Sequence, residues 1–420
     1  MKDFFSFLDE SPLAFHAAEN IVSRFQEKGW ALLDEKGAWS LKPGSGYTVR
    51  LGPGAVAAFT LGRPGLADGW RIAAAHTDSP GFKIKLETWQ NQNDAWVRWG
   101  VEVYGSPLFS TWTDRSLGIA GTVWLQTPEG PRAVGLKTES LAVIPNLALH
   151  YNRDANKGTG LDPQTQLSAL ADLGEFTNWR AWVAHRTGSP EKAILAADLH
   201  LYDTQPASLI GPSGLYQSGR IDNLAGSHAV MEALLAAETA ASPAYRLALF
   251  LDHEEIGSET PHGADSSLLP RLLDRLDAQA GLDGESSYGH RQASFLVSVD
   301  AAHGVHPNYP DRHDPAYSPK LGQGPVLKTA ARASYATTAQ TEALFRWKTS
   351  GYKNNLQNFI MRSDLVPGST VGPLLAAKAN LPAVDLGVPI WAMHSVRETG
   401  HLADQAAMIR LLTAFWDQDV

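Results

Sequence analysis

Two adjacent carboxylates, Glu254 and Glu255, closely follow the apolar run Arg246–Leu251. The run predicts a buried strand, and open α/β sheets assemble their sites at the carboxyl ends of strands. Two neighbouring acids in a confined place repel each other, so a cation is their natural companion. One carboxylate could then bind a metal ion while the other accepts a proton. Taken alone, the pair is also typical of a solvated helix start, where glutamate is common.

Four other segments place metal-binding residue types at predicted strand ends or turns. They contain His76 with Asp78, Asp222, Asp300 and His394. Two imidazoles and three carboxylates, one of them bridging, could hold two divalent ions about 3.5–4 Å apart and leave one carboxylate as a base. An imidazole ligand needs its other ring nitrogen held, and Asp78 could do this for His76. Each residue also has a structural explanation, since the histidines could be buried and hydrogen-bonded and Asp222 could cap a helix.

Composition restricts the ligands that a metal could have. The chain of 420 residues contains no cysteine, so thiolate-bound zinc and disulfide bonds are excluded. Histidine, aspartate and glutamate remain, and these donors suit zinc, manganese or cobalt. The charged fraction of 19% and the hydrophobic fraction of 44% are ordinary for a globular protein. A net charge of −9 argues against nucleic acid as a partner.

The amino terminus and the hydropathy bear on location. The segment Met1–Glu10 carries acidic residues where a signal peptide needs a cationic and then an apolar run. No stretch approaches the roughly 18 uncharged apolar residues of a membrane span, so no membrane partner is expected. We therefore expect a cytoplasmic protein.

The elements that must position these residues are predicted strands and helices, and they have an α/β pattern at both ends of the chain. Ser11 and Pro12 predict the start of a helix that ends near Gly29. After Gly219, helices predicted at 223–237, 372–379 and 404–416 alternate with strands predicted at 246–251, 294–299 and 383–386. This alternation predicts an α/β fold with a central mixed, largely parallel sheet flanked by helices.

Between these two regions the sequence pattern changes from α/β to β-rich. Ile84–Trp89 and Gly121–Leu125 alternate apolar and polar residues, as half-buried antiparallel strands do, and one helix is predicted near Gln166–Phe176. The chain length permits two domains. We predict a discontinuous α/β domain, residues 1–82 and 213–420, with a β-rich domain inserted at residues 83–212.

In their joint order these motifs resemble the aspartyl aminopeptidase family of cocatalytic dinuclear-zinc metallopeptidases, over essentially the whole chain. The matching stretches are His76–Pro80, Arg220–Asn223, Asp252–Ser258, Ser298–His303 with His306–Tyr309, Gly368–Pro373 and Met393–Glu398. The resemblance implies that the α/β domain is a metallopeptidase domain. It also implies that the insert serves dimerisation and oligomerisation.

The resemblance further implies two divalent metal ions per subunit, zinc or alternatively manganese or cobalt. His76 and Asp300 would bind one ion, Glu255 and His394 the other, and Asp222 would bridge the two.

Four more residues receive roles from the same resemblance. Glu254 would be the general base, and Asp78 would orient His76. Lys328 would pair with the acidic side chain of the substrate's first residue, and His150 would reach the site of a neighbouring subunit. Lys328 is by itself also typical of a solvated lysine after a turn.

The function implied is metal-dependent hydrolysis of the N-terminal residue of peptides with a free N-terminus, with preference for Asp or Glu. A two-metal carboxypeptidase or deacylase is the nearest alternative, and it would recognise a substrate carboxylate instead of a free amine. A non-catalytic metal-stabilised assembly protein is the remaining alternative, but it would have no need for Glu254 beside Glu255.

A homo-oligomer is also expected. The resemblance implies a tetrahedral dodecamer built from dimers. Within the predicted insert, Trp89, Trp96, Trp99 and Trp112 could form an aromatic subunit interface, or they could be an ordinary domain core.

Overall fold

The helices lie mainly at the two ends of the chain. The structure is a computed structural model that describes residues 1–62, 69–92, 96–158, 160–174, 176–237, 245–352 and 355–417. The α-helices in this part of the chain are α1 (Lys2–Glu10), α2 (Ala14–Glu27), α3 (Pro163–Gln166), α4 (Trp179–Thr187), α5 (Ile221–Ala236), α6 (Leu268–Gln279), α7 (Gly284–Gln292), α8 (Ala339–Lys348), α9 (Val371–Ala379) and α10 (Leu402–Asp417).

The strands form three sheets. In chain order they are β1 (Ala31–Leu33), β2 (Gly46–Arg50), β3 (Val56–Thr60), β4 (Trp70–His76), β5 (Gly81–Ile84), β6 (Gln90–Gln92), β7 (Trp96–Trp99), β8 (Val101–Tyr104), β9 (Leu117–Thr127), β10 (Gly130–Lys137), β11 (Ala142–Val143), β12 (Ala169–Ala171), β13 (Ile194–Asp203), β14 (Ser208–Ile210), β15 (Leu215–Ser218), β16 (Tyr245–Leu251), β17 (Phe295–His303), β18 (Val326–Lys328), β19 (Gln357–Phe359), β20 (Ala383–Ile390) and β21 (Glu398–His401).

The first sheet has the strand order β1-β2-β3-β16-β4-β17-β20-β18-β19. Its central strands β16, β4, β17 and β20 are mutually parallel, whereas β3 and β18 run antiparallel to their neighbours β16 and β20. The predicted mixed, largely parallel sheet flanked by helices is therefore confirmed. Because the carboxyl ends of parallel strands share one edge, the segments that follow these four strands meet there.

Apolar clusters cover both faces of this sheet. Alternate residues of β16 belong to different clusters, with Ala248 and Phe250 on one face and Leu247 and Leu249 on the other. Helices α2, α5 and α10 supply the first cluster, and α6 and α9 supply the second. A strand buried on both faces has a continuous apolar sequence, which is why Arg246–Leu251 was recognisable.

The amino-terminal helices differ from the prediction. Helix α2 begins at Ala14, because Leu13 has extended backbone and the hydroxyl of Ser11 accepts a 2.9 Å hydrogen bond from the Asn20 side chain instead of capping a helix. The helix ends near Gly29 as predicted, and this glycine has a φ of +82°. Helix α1 was not predicted.

The second sheet contains β5 to β13, and all of its pairings are antiparallel. Its core includes the fully buried Trp99 and Trp182. The division into a domain of residues 1–82 and 213–420 and an insert of residues 83–212 stays a prediction.

The helix predicted near Gln166–Phe176 is wrong over the described residues of that range. Asp162 caps a single helical turn that ends at Gln166, and its carboxylate accepts hydrogen bonds from two backbone N–H groups. The chain then enters β12, where Ala169 pairs with Trp99 in the second sheet. Pairing with β7 and β11 overrides the local helical pattern.

The tryptophans predicted as interface candidates divide between core and surface. Trp99 and Trp112 are buried in the second sheet's core, so they do not offer an aromatic interface surface. Trp89 packs partly buried against that core, and Trp96 is exposed. The explanation as a domain core therefore holds for most of this set.

A small third sheet, β14-β15-β21, brings the chain back beside the start of α5, with Ser218 opposite Glu398. Over the described ranges, each helix is too short or too polar to cross a lipid bilayer.

Candidate metal centre

The predicted site residues come together at the carboxyl edge of the central parallel strands. His76 is the last residue of β4, Glu254 and Glu255 lie in a short turn after β16, and His394 lies in the turn after β20. Asp300 lies inside β17, which continues to His303 instead of ending at the aspartate as predicted. Strand order thus gathers side chains that are far apart in the sequence.

Asp222 lies between the two imidazoles. Its Oδ1 is 3.4 Å from Nε2 of His76, and its Oδ2 is 3.6 Å from Nε2 of His394. Its backbone is non-helical (φ −79°, ψ 108°) although it stands at the start of α5. The alternative that Asp222 is a helix cap therefore does not hold, because its carboxylate faces the histidines.

Two groups of three donor atoms share Asp222. His76 Nε2 lies 3.4 Å from Asp300 Oδ1, and His394 Nε2 lies 3.5 Å from Glu255 Oε2. Within each group, His76–Asp222–Asp300 and Asp222–Glu255–His394, the ligand atoms all lie within 4.8 Å of one another. This spacing fits one divalent ion in each group with the carboxylate of Asp222 between them.

The burial and charge of the site also fit cations. Asp222 Oδ1 and Glu255 Oε1 are buried and have no hydrogen-bond partner among the described residues. Burial and the nearby carboxylate of Asp222 raise the pKa of Glu255 well above its ordinary value. Uncompensated carboxylates in such a place repel each other, whereas hard oxygen donors with one imidazole per ion suit zinc, manganese or cobalt.

Glu254 lines the same cavity and forms a further close group with His76 and Glu255. Burial raises the pKa of its carboxyl to about 7, and the carboxylates of Asp300 and Asp222 add to this while His76 opposes it. Glu254 is thus an acid beside the ligands that is not needed to complete either group.

Each histidine ligand candidate has its other ring nitrogen occupied. Nδ1 of His76 lies 3.1 Å from the backbone oxygen of Asp78 and 3.4 Å from its Oδ1. Nδ1 of His394 lies 3.0 Å from the backbone oxygen of Ser106. Donation from Nδ1 leaves Nε2 free to face the carboxylates, as a metal ligand requires.

Asp78 also binds the main chain of the paired glutamates. Its Oδ1 accepts a hydrogen bond from the backbone N–H of Glu254 and its Oδ2 accepts one from Glu255, each at 3.1 Å. The predicted role for Asp78 was orientation of His76. The structure places it against both His76 and the Glu254 turn.

Glu398 was not singled out by the sequence, although it lies in one of the matching stretches. Its Oε2 accepts a 2.9 Å hydrogen bond from the backbone N–H of Asp222, and its Oε1 accepts a 2.8 Å bond from that of His394. It is 1% exposed. An acid four residues after a ligand carries no pattern that distinguishes it from a solvated glutamate, so only its burial reveals the role.

Non-glycine residues in left-handed backbone flank the ligands. They include Arg220 (φ +61°), His253 (φ +65°) and His394 (φ +67°). Each such residue costs on the order of 1 kcal/mol or more and persists where its surroundings determine it. The sharp turns that these residues make place Asp222, the Glu254 turn and the His394 imidazole at one point.

Lys328 and His150 have different positions relative to the cavity, whose volume is about 570 Å³. Lys328 lines it, is 2% exposed, and donates a 2.9 Å hydrogen bond from Nζ to the backbone oxygen of Ala301. Its Nζ is 3.7 Å from Asp300 Oδ2. His150 is exposed in a loop and is not among the described residues that line the cavity of its own chain.

Comparison with known proteins gives one consistent family. The family described as "Aminopeptidase I zinc metalloprotease (M18)" matches residues 7–416. A relative from Pseudomonas savastanoi pv. phaseolicola, "Probable M18 family aminopeptidase 2", is 37% identical over 98% of this chain and 96% of its own. A relative of the same name from Azotobacter vinelandii is 39% identical over 98% and 96% of the two chains.

Solved structures agree with this assignment. The structure titled "Cryo-EM structure of the Ape4 and Nbr1 complex" matches with a TM-score of 0.92 and 30% identity, covering 99% of this chain and 85% of that chain. The mApe1 dodecamer of S. cerevisiae shares the fold, with a TM-score of 0.83 and 21% identity over 99% of this chain and 95% of that one.

Proposed function

Because the chain belongs to the M18 family of zinc metalloproteases and is an aminopeptidase, we propose that it removes acidic N-terminal residues from peptides with a two-ion centre. The single observation that carries the two-ion proposal is the pair of donor groups that share Asp222. The presence of Glu254 beside both groups supports a hydrolytic role for the centre.

We assign the ligands from the observed contacts. His76 and Asp300 would hold one ion, Glu255 and His394 the other, and Asp222 would bridge them. When bound, two divalent ions lower the pKa of the attacking water and polarise the scissile carbonyl. The family is a zinc family, and these donors also accept manganese or cobalt.

Glu254 would move the proton. Its carboxylate lies in the cavity and is not required as a ligand, so it is free to take the proton of the attacking water as the water adds to the peptide carbonyl. The same carboxyl would then give the proton to the leaving amine. The hydrogen bond from the Glu254 backbone to Asp78 fixes the base beside the ligands.

Lys328 would select the first residue of the substrate. Lys328 lines the cavity, and its ammonium has three donors, of which Ala301 takes one. A buried ammonium favours a carboxylate over a neutral side chain, and such charge-assisted hydrogen bonds are the stronger kind. This supports Asp or Glu as the N-terminal residue that is removed.

We also propose that the protein forms a homo-oligomer, the tetrahedral dodecamer. The loop that carries His150 exposes Leu147, Leu149 and Tyr151, which are 62%, 55% and 82% exposed. Apolar side chains clustered this way are typical of a protein interface. The S. cerevisiae mApe1 structure is described as a dodecamer, which is consistent with such an assembly. A subunit contact here would bring His150 toward a neighbouring cavity. Cytoplasmic location stays a prediction.

The test is hydrolysis of peptides that begin with Asp, Glu, Ala or Leu, each with a free and an acetylated amine. The proposal expects release of Asp and Glu from the free peptides only, loss of activity with a chelator, and recovery with zinc. Cleavage of the acetylated peptides, or of carboxy-terminal residues, would instead identify a deacylase or carboxypeptidase.

A further inference from the structure

The segment Tyr104–Leu108 leaves the end of β8 in the second sheet and contacts the metal centre at several points. We infer that this segment positions the catalytic groups, with Tyr104 as a positioning residue that acts through Asp78. The inference rests on the proposed function and assigns the second sheet a part in the chemistry in addition to its predicted part in oligomerisation.

Tyr104 completes the hydrogen bonding of Asp78. Its hydroxyl donates a 2.8 Å bond to Oδ2 of Asp78, the oxygen that also accepts the backbone N–H of Glu255. The other oxygen of Asp78 accepts the backbone N–H of Glu254 and lies 3.4 Å from His76 Nδ1. Asp78 is 3% exposed, so a lost partner would not be replaced freely by solvent.

The next residues of the segment fix His394 and approach Glu255. The backbone oxygen of Ser106 lies 3.0 Å from Nδ1 of His394, and the backbone N–H of Leu108 donates a 2.9 Å bond to the carbonyl of His394. Gly105 has a φ of +68°, and a Cβ there would lie 3.1 Å from Cβ of Glu255. The segment therefore sets the ring orientation of one ligand candidate and packs directly on another.

The consequence is a centre assembled from both large sheets. The first sheet and the start of α5 supply the ligand candidates, and the segment Tyr104–Leu108 at the end of β8 in the second sheet supplies the hydroxyl on Asp78 and the carbonyl on His394. Partners behind the ligands of a metal typically change metal affinity or activity about 10–100-fold when removed. An effect of that size is expected from loss of the Tyr104 hydroxyl alone.

The test compares Tyr104→Phe with Tyr202→Phe. Tyr202 is a matched control because it lies in β13 of the same sheet and its hydroxyl donates to the backbone oxygen of Thr138 instead of to Asp78. Zinc affinity is measured on each full-length protein by competition with a chromogenic chelator. Values of kcat and KM are measured on a substrate that the wild type hydrolyses.

We expect Tyr104→Phe to bind zinc about 10–100-fold more weakly and to lower kcat by a similar factor at saturating zinc, with KM within about twofold of the wild type. Tyr202→Phe should match the wild type in all three. The inference would be overturned if both variants lost zinc affinity and kcat equally, or if Tyr104→Phe kept both at the wild-type level. It would also be overturned if Tyr104→Phe no longer formed the oligomer of the wild type.

Gly105→Ala is a second variant, and it keeps the hydrogen bond from the Tyr104 hydroxyl to Asp78. Its methyl group should displace Glu255, so zinc affinity should fall here also, and normal zinc binding would contradict the role of the segment. Zinc affinity is independent of substrate. A wild type that bound zinc but hydrolysed no aminoacyl peptide would therefore count against the proposed function and leave the positioning result interpretable.

Discussion

The carboxylate of Glu398 accepts a 2.9 Å hydrogen bond from the backbone N–H of Asp222, although 176 positions separate the two residues. The same carboxylate accepts the backbone N–H of His394 at 2.8 Å. One buried acid thus fixes the main chain of Asp222, the proposed bridging ligand, and of His394, a proposed ligand of one ion. This contact ties the turn after β20 to the start of α5.

Replacing Glu398 with glutamine should weaken metal binding. The amide NH₂ would face a backbone N–H group in place of an acceptor, leaving a buried donor unpaired. We expect zinc affinity to fall about 10–100-fold by chelator competition. Glu285→Gln, at an exposed glutamate in α7, is the control and should bind zinc normally. Equal affinity in the two variants would show that Glu398 does not support the centre.

The bridging role of Asp222 predicts a difference in metal stoichiometry. Asp222→Ala should lose both ions, because each donor group contains this carboxylate, whereas His394→Ala should lose one. The number of metal ions per chain distinguishes the two variants, and it is measured by inductively coupled plasma mass spectrometry after gel filtration. If Asp222→Ala kept as much metal as His394→Ala, a shared ligand would be ruled out.

Lys328→Met should change selectivity. The substitution keeps the apolar bulk of a side chain that lines the cavity and removes its charge. A charge-assisted hydrogen bond contributes about 1.5–3 kcal/mol, so kcat/KM for peptides beginning with Asp or Glu should fall about 10–100-fold. Peptides beginning with Ala serve as the internal control and should change far less. A uniform loss across the panel would assign Lys328 to support of Asp300 instead.

Asp277 predicts a pH dependence of stability away from the site. Its carboxylate accepts hydrogen bonds from Trp70 at 2.8 Å, Ser287 at 2.6 Å and Arg291 at 2.7 Å. Burial opposes its charge, but the imidazole of His290, with Nδ1 3.6 Å from Asp277 Oδ1, and these three hydrogen-bond donors lower the pKa of Asp277 from 3.8 to about 2. The folded-state pKa lies below the unfolded one, so this stabilisation is complete above about pH 5 and is lost as pH falls through about 2.

The melting temperature of the wild type should therefore exceed that of Asp277→Asn by a constant amount above about pH 5, and the difference should shrink toward about pH 2.5. Asp274→Asn removes the exposed partner of the same Arg291 and is the control, with little effect expected at any pH. A difference between wild type and Asp277→Asn that stayed constant down to about pH 2.5 would contradict the shifted pKa.

The sequence allowed prediction of those parts that follow from local chemistry. The apolar run before Asp252 is buried on both faces, so the strand, and with it the location of Glu254 at its carboxyl end, could be inferred from residue types. The metal-binding residue types then followed, because each stands where a predicted strand or helix begins or ends. Asp300 was placed correctly at this edge although its strand runs on to His303.

What the sequence did not reveal depends on contacts between distant segments. Glu398 bonds Asp222 and Ser106 lies against His394, each pair more than a hundred positions apart, and Tyr104 of the second sheet bonds Asp78, which follows β4 of the first sheet. Nothing in the sequence around these residues marks them. For the same reason the stretch around Ala169 was predicted as a helix. Its strand conformation comes from pairing with β7 rather than from its own residues.

The Glu254→Gln variant, assayed for zinc and for turnover in the same preparation, tests the role of Glu254 most directly. Glu254 is proposed to move the proton without binding an ion, and the glutamine keeps its size. We predict zinc content equal to that of the wild type and turnover reduced about 10²–10⁴-fold. Glu259→Gln, at the exposed glutamate nearby, should retain both. A zinc-loaded Glu254→Gln enzyme with wild-type turnover would contradict the assignment.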